Sequence, residues 1–276
     1  INIMLKLQNT LHKPYRIFHT GENPLLVQCE DFETWVCKHG RLGTINLFNE
    51  LIASRFANIW EIKTPEICLI NVLEDHLPLD LGGNLQPSYF KKPCFGSKYI
   101  SSSKEIDSTL IHSFQNKYFK SKIQNKDDFL KIALFDIWLS NEDRNHNNSN
   151  LLLDFTSNDM YYFYAFDHNA IFNTNLMLKY GITQLTDDES IINTELAKLL
   201  FKKGKKLKTT VDNLVTKMYL CTDQCKTNLK MILAEVPLAW NVDCVEIESL
   251  LIKNIFADDW INECENNFRT LIQTYI

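Results

Sequence analysis

Asp143, Asn148 and Asp167 have the types and spacing that metal-assisted phosphoryl transfer requires. In such chemistry one Asp orients a hydroxyl nucleophile, an Asn five residues later holds a metal, and a second Asp holds Mg²⁺ against phosphates. The stretch Asn141-Glu142-Asp143-Arg144-Asn145-His146-Asn147-Asn148-Ser149-Asn150 is too rich in Asn and Asp to continue a helix, because these side chains compete for local backbone hydrogen bonds. Apolar segments at residues 129–139 and 151–153 flank it, so a polar loop is presented on buried shoulders. Residues 151–155, a turn at Ser157-Asn158-Asp159 and residues 160–166 read as a β-hairpin. The hairpin delivers Asp167 beside the loop.

Phosphate chemistry also needs a cation. Lys38 closes a strand-like run, Thr34–Lys38, and Glu50 follows twelve residues later. Glu50 lies in an expected helix, Thr44–Ile59, whose Ile45, Leu47, Phe48, Leu51, Ile52 and Phe56 recur at helical spacing. Alone, these are ordinary surface charges. Placed in chain order before Asp143 and Asp167, they form a lysine for the α/β-phosphates and a glutamate that orients it. Two more β-rich runs, residues 14–19 and 25–30, flank Thr20-Gly21-Glu22-Asn23-Pro24. That turn is expected over the phosphates, so Thr20, Gly21, Glu22 and Asn23 join Lys38 as nucleotide-contacting residues. With one glycine, its amides have little freedom to cover them. Residues 64–70 read as a strand leading to an adenine hinge, since Pro65 bars a helix there.

The pattern Asp143-Arg144-x-x-x-Asn148-x-Asn150-Leu151-Leu152, a hairpin, then Asp167-His168, resembles the HipA-like kinase family within the protein-kinase-like fold. Asn49-Glu50-Leu51-Ile52-Ala53, Cys94-Phe95-Gly96-Ser97-Lys98-Tyr99 and Val236-Pro237-Leu238-Ala239-Trp240 are similar to further blocks of that family. The resemblance implies an α+β, two-lobed fold: a small antiparallel β lobe over residues 1–93 and a mainly helical large lobe over residues 94–276. It implies ATP and Mg²⁺ as cofactors, with γ-phosphate passing to a protein Ser or Thr, the chain's own included. Asp143, Lys38, Glu50 and Arg144 form the implied catalytic set, and Asn148, Asp167 and Asn150 the metal set. Arg144 stays protonated, which suits a structural or phosphate-directed role better than that of a base. His146 and His168 read as orienting groups more than proton shuttles. The sequence departs from the family in its glycine-poor turn and in Asn169, where glycine is usual. Three alternatives stay open: a pseudokinase or nucleotide-binding regulatory module, a phosphoinositide-type lipid kinase sharing Asp143-Arg144, and a metal-dependent hydrolase.

The 276 residues supply ample core for one large domain or two lobes. A net charge of −5 gives no general pull toward nucleic acid or anionic membrane, and no apolar run approaches a membrane span. The resemblance implies ATP, a protein substrate and a regulatory protein as partners, while charge and hydropathy predict neither nucleic acid nor membrane. No secretory signal is visible, and the eight cysteines read as reduced, buried thiols of a cytoplasmic protein. Cys221 and Cys225 share a helix face without a second pair at zinc-finger spacing.

Residues 74–92 are loop-like and mark the lobe boundary, with Pro78, Gly82 and Gly83. The Phe95-Gly96-Ser97 block that follows reads as a turn packing Phe95 and Tyr99. Asp127 and Asp128 are expected to cap the helix that enters the catalytic loop, and Asp136 to support the loop. Helices are expected over residues 189–201, 209–220, 226–234, 245–256 and 259–275. The basic run Lys202-Lys203-Gly204-Lys205-Lys206-Leu207-Lys208 reads as a loop between two of them: a solvated face, or a dock for an acidic partner.

Overall fold

The computed structural model describes residues 5–77, 85–157 and 160–276. Its strands are β1 (Leu7–Asn9), β2 (Arg16–Ile17), β3 (Leu25–Gln28), β4 (Thr34–Lys38), β5 (Ile67–Asn71), β6 (Cys94–Lys98), β7 (Ser103–Glu105), β8 (Leu151–Ser157) and β9 (Met160–Ala165). The helices are α1 (Thr44–Ile59), α2 (Ser108–Ser113), α3 (Lys117–Ser121), α4 (Asp127–Leu139), α5 (Ile171–Thr174), α6 (Met177–Tyr180), α7 (Glu195–Leu200), α8 (Lys205–Leu233), α9 (Cys244–Lys253) and α10 (Asp258–Tyr275).

One sheet has the order β1-β5-β6-β4-β3-β2, with β1 parallel to β5 and the remaining pairs antiparallel. A second, antiparallel sheet has the order β7-β8-β9. Alternation in β3 and β4 turns Leu25, Val27, Trp35 and Cys37 to one face, where they pack with Cys68, Ile70 and Cys94. The larger apolar cluster runs without a break from α1 through α4, α8 and α10. Trp60, the residue that caps the end of α1, stacks on Trp138 of α4 at 5.4 Å and 19°, and Phe56 lies 5.4 Å from the same ring. The helix carrying Glu50 is thus anchored in the helical body while it underlies the sheet.

β4, α1 and the β8–β9 hairpin form where the sequence places them. Other expectations are corrected. The Phe95-Gly96-Ser97 block is no turn: it lies in β6, a central strand between β5 and β4. Phe95 is buried in the core, whereas Tyr99 is 44 % exposed and lines a cleft. Gly96 is required there, because a Cβ would meet Cys68 Sγ and Ile70 Cδ1 at 2.6 Å. The first sheet therefore continues past residue 93, and residues 99–102 cross to the second. Pro78, Gly82 and Gly83 of the expected boundary lie outside the described residues, as do Asn158 and Asp159 of the hairpin turn.

The expected helices at 209–220 and 226–234 are one helix, α8, 29 residues long. Val211, Val215, Met218, Thr222, Cys225, Leu229 and Ile232 continue its buried stripe across the supposed break. The basic run is mostly the start of this helix. Asp127 and Asp128 occupy the first turn of α4, and Lys126 takes the cap position without a side-chain bond. Their charge still favours that end of the helix.

Candidate active site

β4 ends by placing Lys38 beneath the first sheet, and the inner face of α1 raises Glu50 to meet it. Lys38 Nζ donates to Glu50 Oε1 and, at 2.6 Å, to Asp167 Oδ1. Glu50 Oε2 accepts the backbone N–H of His168 at 3.1 Å, so one buried carboxylate holds both the ammonium and the corner after β9. Asp167 occupies that corner at φ 56, a left-handed conformation that Asp adopts more readily than most residues. Burial works against the Lys38 charge, but Asp167, Glu50 and Glu22 hold its pKa above the ordinary value. Burial likewise opposes ionisation of Asp167, and the Lys38 ammonium outweighs it, leaving the carboxyl below its usual range. Glu50 is pushed up to about 7 by burial, against the pull of Lys38.

The Asp143 loop is held differently. Asp143 Oδ2 accepts from the amides of Asn148 at 2.9 Å and Asn150 at 3.0 Å. Arg144 does not face the cleft: it is fully buried, paired with Asp136, and donates to Asn150 O at 3.3 Å and Phe166 O at 2.8 Å. It thereby ties the loop to the end of β9. Asn141 shares Asp136 Oδ1 at 2.9 Å. Asp136 thus supports the loop, its pKa raised by burial and drawn back by Arg144. His168 is buried; burial, then Arg144 and Lys38, hold its pKa well below the usual value, so it stays neutral. His146 is exposed, with Nδ1 3.3 Å from Asp188 O.

A cleft of about 310 Å³ opens over Lys38, Glu50 and Asp167, lined also by Thr20, Val36 and Tyr99. Glu22 reaches the same centre: its carboxylate accepts from Asn169 Nδ2 at 2.9 Å, and burial raises its pKa against the pull of Lys38. Gly21 and Asn23 stay in the turn above, Gly21 O accepting from Arg41 at 3.1 Å and Asn23 N donating to Thr20 O at 3.2 Å. Beside the Asp143 loop a second cavity, about 740 Å³, is lined by Asn145, Asn148, Glu105, Asp107 and Asp188.

Two features escaped sequence reasoning. Residues 97–100 line the cleft where β6 leaves the first sheet, and the lone glycine in an apolar run was the available signal. Asn49, completely buried, donates to Asn169 O at 2.7 Å and to Asn175 Oδ1 at 2.9 Å, pinning the segment after Asp167 to α1. Nothing local in the sequence marks that contact. All eight cysteines are free, and among the described residues no three His, Cys, Asp or Glu side chains gather to hold a metal, Cys221 and Cys225 included.

Fold and site together define a two-lobed α+β protein of the protein-kinase-like fold. The family model for HipA-like kinase matches residues 15–270, and the chain belongs to that family. Among solved structures, the Helicobacter pylori proinflammatory kinase CtkA aligns with a TM-score of 0.56 at 14% identity, over 95% of this chain and 98% of that one. HipA of Shewanella oneidensis MR-1, in a complex with HipB and operator DNA, aligns at 0.40 and 11% identity, over 83% of this chain and 55% of that one. The Golgi casein kinase with Mn/ADP bound aligns at 0.44 and 14%, over 94% and 73%. At 14% identity the likeness to CtkA shows the fold alone. No curated protein matches the sequence.

Proposed function

We propose that the chain is an ATP-dependent kinase that transfers the γ-phosphate of Mg-ATP to a Ser or Thr hydroxyl of a protein, its own included. One observation carries this reading: β4, α1 and the corner after β9 bring Lys38, Glu50 and Asp167 into a single ion cluster under the cleft. The donors suit Mg²⁺, a hard cation that takes oxygen ligands and leaves positions for phosphate. Asp167 offers a carboxylate held ionised, and Asn148 and Asn150 offer amide oxygens beside Asp143. When bound, Mg²⁺ neutralises phosphate charge as it develops.

The protein's own groups do the rest. Lys38 would grip the α/β-phosphates with Glu50 holding its ammonium in place, and Asp167 would be the carboxylate that holds the metal. The turn Thr20, Gly21, Glu22 and Asn23 lies over the phosphates, and adenine sits against residues 97–100. Asp143, steadied through Oδ2 by two neutral amides, takes the hydroxyl proton through Oδ1 while the acceptor oxygen bonds the γ-phosphorus. The bond to the β-phosphate oxygen breaks, and ADP leaves. The acceptor enters through the cavity beside Asn148. No helix among the described residues is long and apolar enough to cross a membrane.

Incubation with γ-labelled ATP tests the reading, offering the chain itself, a Ser/Thr-rich protein and inositol-lipid vesicles as acceptors. Label on Ser or Thr that disappears in Asp143→Ala is the expected result. Label on lipid alone would reassign the acceptor, and nucleotide binding without transfer would make the chain a pseudokinase.

A further inference from the structure

The helical body carries a third cavity, away from the cleft. It measures about 580 Å³, inside the range of small-ligand pockets. Lys117, Lys120 and Lys126 line one wall, and Lys202, Lys203, Lys205 and Lys206 the other. Asp127 is the one carboxylate among the described residues lining it, and its Oδ2 already accepts from Thr210 at 3.2 Å. This concentration of cations stands in a chain whose net charge is −5.

The lysines are arranged rather than merely crowded. Lys120 Nζ donates to Leu199 O at 3.2 Å, Lys126 Nζ to Leu200 O at 3.2 Å and Lys203 Nζ to Gln273 O at 3.3 Å. Carbonyl oxygens fix these ammonium groups without neutralising them. No ion pair among the described residues engages any of the seven. The cavity also meets the N-terminus of α8, where Gly204 caps without a side chain and the first-turn N–H groups add positive potential. Like charges held at this density cost free energy unless an anion joins them.

We propose that this cavity is a binding site for a compact polyphosphate anion, several phosphate groups linked or clustered on one small molecule. A concave site of this size favours such a ligand over duplex DNA, which needs phosphate contacts spread along an extended surface. The proposal stands independently of the kinase reading.

Calorimetric titration of the full chain with inorganic tripolyphosphate tests it, beside the double variant Lys205→Glu/Lys206→Glu. Both positions are exposed, and acidic residues are favourable at a helix N-terminus, so the variant keeps its fold. Saturable binding at one tripolyphosphate per chain is expected, weakening with added salt and falling about tenfold or more in the variant. Absence of binding would overturn the proposal. So would equal binding by the variant, which would place the anion in the ATP cleft or elsewhere. Tighter binding of a duplex oligonucleotide than of tripolyphosphate, at equal phosphate concentration, would overturn it in favour of nucleic acid.

Discussion

The two sides of the candidate active site are built from different forces. On the proposed phosphate side, Lys38 and Glu50 form a buried charge pair that Asp167, 129 residues beyond Lys38, joins from the corner after β9. On the acceptor side, Asp143 is held by the neutral amides of Asn148 and Asn150 within its own loop. Charges held in a dry setting suit a site that must grip a polyanion and a metal, since they repay their desolvation only when paired. Neutral amides position the Asp143 carboxylate through one oxygen without placing a second full charge beside it. Arg144 lies beneath both halves, joining Asp136, Asn150 and Phe166.

Removing that shared post breaks the comparison most severely. Arg144→Met leaves Asp136 buried without its partner, and loss of one member of a buried pair costs about 3–5 kcal/mol. Denaturant unfolding is expected to show this, with both halves of the site lost together. Lys38→Met breaks only the charged side: two carboxylates are left facing each other, Mg-ATP affinity disappears, and circular dichroism stays that of the wild type.

Asp143→Asn breaks only the other side. It is expected to lower kcat by about a hundredfold or more, the usual worth of a positioned base, while the Kd for Mg-ATP changes by less than about twofold. A matching loss of affinity would show that the halves are not separable.

The smallest expected effect concerns His168, buried between them and held neutral well below its usual 6.5. The unfolded chain binds a proton there that the folded chain does not, so stability falls as pH drops through 6.5. His39, lowered chiefly by burial, acts in the same sense, whereas carboxylates raised by burial, such as Glu50, act oppositely. Comparison with His168→Gln isolates the histidine. Between about pH 7.5 and 5.5 the wild type should lose roughly 1 kcal/mol more than the variant. Parallel losses would contradict a neutral His168.

The same contrast explains what the sequence made legible. The Asp143 loop and the bounds of α1 are local matters of residue type and period, and they form as expected. Lys38, Glu50 and Asp167 were found by order along the chain, and the fold brings them into contact. β1 stayed hidden because its parallel partner β5 is remote in sequence and no hairpin signals the pairing. β6 stayed hidden because Gly96 looks like a turn residue, when it answers the close approach of Cys68 and Ile70. The contacts of Asn49 and Glu22 with the segment after Asp167 exist only in three dimensions, between side chains of ordinary polar type.

Lys38, Glu50 and Asp167 are proposed to form the site for Mg-ATP. Titration of ATP into the wild type and Asp167→Ala, with and without Mg²⁺, tests it most directly. Magnesium-dependent binding by the wild type that Asp167→Ala loses, with the variant's unfolding transition intact, is the predicted result. Absence of ATP binding by well-folded wild type, or equal magnesium-dependent binding by the variant, would contradict it.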